Sequence, residues 1–447
     1  MRILPLLTLL AARIGVPNLV QSQCIAENDY YPPPTCPDIG RYISFCMKLF
    51  GEVLPSYGSF VFSPYAVWRN IMLAYFGAKG LTLTEIEKAL ATHNKTDALA
   101  LFKATSIMYH GRNALESLFL LSSHLYLDED LPIKDCVLEI FGKEIRLIAF
   151  NEPQAITRSI NAVVARDTRG KVAEVVQASD VKGSQAVSVG VAFFKGAWEQ
   201  PFSPENTARE QFFTDNDVFV SLDMMNQIGY FRRTHSKRLR ASFLELPFLG
   251  NSASMLLILP DKTNVGTDLN LVLKDMGKLQ KTVFYVTGGK RSKVALKMPK
   301  FTLDVFVKET LEQGLRHMGI QELFTDYADL TAYTDEAAEG GSAGERGERE
   351  ENLGRGGEGK RPKGLRVNNI IEKAVLVVDE EGISPEKAGD PKPARVTHRI
   401  RLFECNRPFA FLIVGNRNKA ILFMGVFNGP SEKMMRGTEY NPHLRTA

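Results

Sequence analysis

The sequence predicts an α+β protein in which helices pack around mixed β-sheets. Three observations lead there. Segments of helical and strand period interleave irregularly, which fits mixed sheets better than a regular βαβ array. Ala186–Phe194 is a near-continuous apolar run, the pattern of a strand buried on both faces. Leu365–Pro430 sets two apolar, β-rich segments on either side of a polar run, Ile383–Arg401, that holds Pro385, Pro391 and Pro393. Ordinary connections run about 4–6 residues. A run this long between two strands reads as an exposed loop presented to a partner.

The elements follow in order. Arg41–Glu52 is helix-like, with Ile43, Cys46, Met47 and Phe50 on one face. Ala66–Tyr75 reads as a buried helix after the Ser63-Pro64 turn. Leu83–Leu90 is a short amphipathic helix with Thr84 as a cap. Ser122–Leu127 alternates like a strand. Gln154–Thr168 has helical period and would bury Ile156, Ile160 and Val163. Ser254–Leu259 and Val294–Phe301 read as further strands, and Leu311–Met318 as a helix.

Composition sets the class. With 447 residues, 44% hydrophobic and 24% charged, the chain can bury a large core. A net charge of +4 gives no case for nucleic acid. Residues 1–22 read as a secretory signal: Arg2, the apolar run Ile3–Ala12, then a small-residue cleavage site after Ser22. Pro5 and Arg13 are irregular for such a signal, and the other reading is an uncleaved tail. Residues 23–39 form a Pro- and Cys-containing tail, and 431–447 a C-terminal tail. The five cysteines are an odd count for a secreted chain. Cys24 and Cys36 are placed to close a local loop, and Cys46, Cys136 and Cys405 read as small buried apolar residues. No CxxC pair or HExxH motif supports a metal site. Asn94-Lys95-Thr96 is the one N-glycosylation acceptor.

Glu336–Lys363 consists mainly of Gly, Glu, Arg, Lys and Ala, with Leu353 its only large apolar residue. It cannot bury enough surface to offset its ordering entropy and reads as a disordered insertion in a surface loop. Gly340–Gly344 matches G-x-S-x-G within it, without the strand and helix that a nucleophile elbow requires. No enzyme activity is expected, and no cofactor. Arg232, Arg233, Lys237, Arg238 and Arg240 form a basic run, as do Lys290, Arg291 and Lys293. Such runs are solvated loops or sites for a sulfated polysaccharide.

Sequence blocks in a fixed order carry a family resemblance. They are Phe62-Ser63-Pro64, Phe76-Gly77-Ala78-Lys79-Gly80, Phe194-Lys195-Gly196-Ala197-Trp198, Leu246-Pro247-Phe248, Met255–Pro260, Met298-Pro299-Lys300-Phe301, Asp379-Glu380-Glu381-Gly382, Asn406-Arg407-Pro408-Phe409 and Leu422-Phe423-Met424-Gly425. Over about residues 40–430 the chain resembles a serpin. The resemblance implies one large domain with three β-sheets and an exposed C-terminal reactive loop, 383–401. It also implies a mechanism. A serine protease cleaves the loop and is held as an acyl-enzyme, while the loop inserts as a new strand into the main sheet.

The residues depart from what that mechanism needs. The hinge runs Glu381, Gly382, Ile383, Pro385, Lys387, with Ile383 where the family usually has Thr or Ser. On insertion Ile383, Pro385, Lys387 and Gly389 would share the inward face. Proline has no N–H for the ladder, and an unpaired buried lysine costs several kcal/mol. In the sheet-opening region, Ser63 and Trp198 fit the family, whereas Gly190 replaces its usual Asn and Glu372 its usual His. Val163 replaces a usual second Trp. Counting forward from Gly382 puts the scissile bond near Val396; counting back from Cys405 puts it near Pro393 or Ala394. Arg395 is the leading bait residue, with Lys392 second, and a cationic bait suits trypsin-like enzymes. Two functions stay open. One is a non-inhibitory or substrate-like extracellular protein with a binding or carrier role. The other is an active inhibitor with its bait near Arg395. Either is expected to be monomeric, without membrane or nucleic-acid partners.

Overall fold

A computed structural model describes residues 24–25, 39–110, 118–214, 219–263, 266–267, 269–274, 289–334, 365–381 and 400–430. In chain order the elements are α1 (Ile39–Val53), β1 (Phe60–Phe62), α2 (Pro64–Gly77), α3 (Gly80–Leu90), α4 (Lys95–His110), β2 (Leu118–Asp128), α5 (Asp135–Phe141), β3 (Ile145–Ile148), α6 (Pro153–Asp167), α7 (Ala178–Val181) and β4 (Ala186–Lys195). The strands β5 (Ala208–Phe213), β6 (Phe219–Ser236), β7 (Ala241–Pro247), β8 (Ala253–Pro260), β9 (Lys262–Thr263) and β10 (Gly266–Thr267) follow. After them come α8 (Leu269–Lys274), β11 (Arg291–Pro299), β12 (Phe301–Val307), α9 (Glu309–His317), β13 (Asn369–Val378), β14 (Arg401–Glu404), β15 (Phe409–Gly415) and β16 (Ile421–Phe427).

The α+β architecture is as expected. Sheets of nine, five and two strands carry the helices on their faces. The five-stranded sheet runs β12-β13-β4-β2-β3. At its centre β13 and β4 are parallel and pair directly through nine residue pairs, from Asn369 with Val187 to Val377 with Lys195. Both strands are buried on both faces, which is why they read as apolar runs. Alternation splits them cleanly. Val187, Val189, Val191, Ile371 and Val375 join Ile156, Ile160 and Val164 of α6 in one apolar cluster. Ala192, Phe194, Ile370, Ala374 and Leu376 face the main core, where α2 lies.

Helix α2 is buried along its whole length. Pro64 sits in its first turn, where no N–H is needed. Ser63 caps it by accepting from the Ala66 N–H at 3.3 Å.

Several local expectations are corrected. Thr84 does not cap α3; Lys79 holds that position, and Thr84 Oγ1 donates to the Gly80 carbonyl one turn back. On α6 the buried third position is Val164, with Val163 only partly covered. Val294–Phe301 is two strands, β11 and β12, split at Lys300. The basic run at 232–240 is the end of β6 and its turn to β7, not one loop. Cys24 bonds to Cys136, 112 residues on, instead of to Cys36. Cys136 is therefore no free apolar residue, whereas Cys46 and Cys405 are free and buried.

Candidate functional site

The central seam between β4 and β13 holds the sheet-opening residues together. Glu372 of β13 lies directly opposite Gly190 of β4, and Gly190 opposite Ser123 of β2. All sit on the inward face, above the start of α2. Ser63 is fully buried there. Its N–H donates to Glu372 Oε1 at 3.0 Å and its hydroxyl to the Leu422 carbonyl at 2.9 Å. Ser63 and Glu372, far apart in sequence, thus share one hydrogen bond in the core.

Gly190 has a steric reason. A Cβ placed on it would fall 2.9 Å from Nδ2 of Asn70 and 3.4 Å from the Ala66 methyl. Asn70 projects from α2, is buried, and accepts the Ser123 hydroxyl at 2.6 Å. Asn70 of the helix therefore supplies the buried amide beside Gly190. Asn70 was not singled out from sequence, since an Asn inside an apolar helix gives no sign of what it faces.

Glu372 is an uncompensated acid. It is fully buried, and Oε2 has no hydrogen-bond partner among the described residues. Burial drives its pKa well above the carboxylate range, with only the Ser63 N–H pulling the other way.

At the upper end of the seam the residues before the hinge are clasped. Trp198 stacks on Phe248 with ring centroids 4.7 Å apart. Its indole N–H donates to the Asp379 carbonyl at 2.8 Å and its backbone N–H to the Glu381 carbonyl at 3.4 Å. Lys195 pairs with Asp379 at 2.8 Å and also with Glu381. Glu380, largely buried, takes Lys300 at 2.7 Å and the Thr207 hydroxyl at 2.9 Å. Burial alone would raise the Glu380 pKa; Lys300 and Thr207 outweigh it and hold the carboxyl below its usual range. Neither Lys195, Lys300 nor Thr207 was singled out for this role from sequence, although Lys195 and Lys300 lie within quoted blocks.

The remaining expectations separate by location. Gly382, Ile383, Pro385, Lys387, Lys392, Arg395 and Val396 lie outside the described residues, as do the 1–22 signal segment, Cys36, the 336–363 insertion and the 431–447 tail. Asn94 is exposed at the start of α4, where Oδ1 accepts from the Asp97 N–H at 3.1 Å. Of the basic run, Lys237, Arg238 and Arg240 are exposed in the β6–β7 turn. Arg232 is committed to Glu245 at 2.8 Å. Arg233 is partly buried, and its pKa is lowered by that burial and by nearby Arg401. No group of three or more His, Cys, Asp or Glu side chains among the described residues is placed to hold a metal ion. No described helix is long and apolar enough to cross a membrane.

A five-stranded sheet with a parallel central seam, a capped buried helix beneath it and the clasped segment Asp379–Glu381 above it define the serpin class. The family model "Serpin (serine protease inhibitor)" matches residues 41–430, and this chain belongs to that family. Alpha-1-antitrypsin of Sus scrofa is 27% identical over 380 residues, covering 83% of this chain and 81% of the relative. Alpha-1-antiproteinase 2 of Equus caballus is 29% identical over 394 residues, covering 83% and 82%. Among solved structures, maspin superposes with a TM-score of 0.75 at 22% identity, covering 88% of this chain and 98% of that one.

Proposed function

We propose that this chain is an extracellular serpin whose loop is cleaved as a substrate instead of trapping a protease, and whose scaffold serves a binding or carrier role. The observation that carries this reading is the loop sequence set against the seam it would enter. Insertion must part nine direct residue pairs between β4 and β13. It would then place Pro385 and Lys387 where the new strand needs N–H donors and uncharged side chains. The inward face there already carries the carboxyl of Glu372, whose Oε2 has no partner among the described residues. Hydrolysis of the acyl bond then outruns insertion.

Secretion rests on the N-terminal signal pattern and is supported by the Cys24–Cys136 bond, since disulfides persist in oxidising compartments. Asn94 is exposed for glycan attachment. The exposed trio Lys237, Arg238 and Arg240 is the part of the basic run free to meet a sulfated polysaccharide. The second reading, inhibition of trypsin-like enzymes at Arg395, is favoured by the antitrypsins among the relatives.

Incubation with trypsin separates the two. We expect cleavage near Arg395 with no SDS-resistant covalent complex. A stable complex at near-stoichiometric yield would overturn the proposal and establish the inhibitor.

A further inference from the structure

A cavity of about 260 Å³ opens between β2, β3, α2 and the C-terminal end of α6, on the opposite side of β4 from the β13 seam. Ligand pockets for drug-sized molecules run about 300–1,000 Å³, so this one suits a smaller group. Its lining is charged and unbalanced. Four cations, Arg69, Lys143, Arg146 and Arg166, face two carboxylates, Glu144 and Asp167.

Both carboxylates are already engaged. Glu144 takes Arg69 at 3.0 Å. Asp167 takes His124 Nε2 at 2.7 Å, the Ser122 hydroxyl at 3.1 Å and Arg166 at 2.8 Å. The His124 ring is oriented from both sides, because its Nδ1 accepts from Arg146 Nε at 3.4 Å.

Three donors are left over. Arg69 is fully buried, its guanidinium lies 4.0 Å over the Phe102 ring, and its Nε–H has no partner among the described residues. Arg146 spends one N–H on His124 and has no described carboxylate in ion-pair range. Lys143, exposed at the rim, has none either. Buried polar groups are nearly always satisfied, and surplus arginine N–H groups in a half-enclosed cleft match the oxygens of a phosphate or sulfate.

We propose that this cavity is a binding site for a doubly charged oxoanion, phosphate or sulfate, either free or as the terminal ester of a small molecule. Arg146 and Lys143 hold it, and Arg69 forms the floor. The bound anion would tie β3 to α2, and through Arg166 to the end of α6.

The test is titration of the full-length protein with sodium phosphate, sodium sulfate and glucose 6-phosphate at constant ionic strength, read by calorimetry. We expect saturable one-site binding, weakened at least about tenfold in Lys143→Ala/Arg146→Ala. It should be unchanged in Lys237→Ala/Arg238→Ala, which alters the distant basic turn. Tighter binding of glucose 6-phosphate than of phosphate would identify the terminal ester as the form recognised; equal or weaker binding would identify the free anion. Absence of saturation with all three probes, or equal binding by Lys143→Ala/Arg146→Ala and the native protein, would overturn the site. Arg69 is left intact, because its loss would strand Glu144.

Discussion

Glu372 and Gly190 set the chemistry of the seam at the level of single residues. A carboxyl whose folded pKa is raised binds its proton longer in the native state than in the unfolded chain. Its contribution is full below the unfolded value of about 4.3 and is lost as pH rises toward the folded value. Glu372 therefore makes the fold less stable as pH rises above about 4.3. Glu372→Gln should flatten that slope and raise the melting temperature more at pH 8 than at pH 5; an equal change at both would contradict the buried protonated acid. Glu380 has the opposite sign, since its depressed pKa gives stability above about pH 4.3 that is lost on acidification. For Gly190 the prediction is steric. Gly190→Ala should cost about 1–3 kcal/mol by overpacking against Asn70. Much of that should be recovered in the Asn70→Ala background, giving a clear coupling term in a double-mutant cycle.

At the scale of elements, the clasp on the residues before the hinge controls the upper end of the seam. Removing Lys300 leaves the buried Glu380 carboxylate without its cation, held by Thr207 and its own backbone N–H. Lys300→Ala should cost about 1 kcal/mol or more and speed hydrogen exchange of the upper β4 and β13 amides. Unchanged exchange there would mean that Trp198 holds the end alone. The strands at this seam were legible in the sequence because they are apolar on both faces. Helices such as α6 were legible from their period, though the buried position slipped from Val163 to Val164. Strand β6 was not, because its outer face is polar and its end is basic, so Arg232 and Arg233 read as loop charges. Lys300 hid the break between β11 and β12, since one polar residue does not interrupt a strand pattern. The Cys24–Cys136 pairing spans 112 residues and leaves no local trace. Asn70, Lys195 and Lys300 were invisible as site residues for the same reason: each acts on a strand distant in the chain.

For the whole molecule, the question is whether the sheet can accept a sixth strand. Cleavage of the loop should change the melting temperature little. Pro385→Ala with Lys387→Ala should restore part of the rise that insertion produces, because it returns an N–H and removes a charge. No rise would place the block in the seam itself, at Glu372 and Gly190. Helix α6 adds to the work, since its apolar face shares one cluster with both seam strands. The placement of this amide on the helix has an evolutionary consequence. With Asn70 filling the space over Gly190, an Asn restored on the strand would meet an occupied site. An Asn70 lost first would leave Ser123 without its acceptor. Either order of single steps passes through a less stable protein, so descendants of this chain would reach an amide on the strand only if both positions changed together.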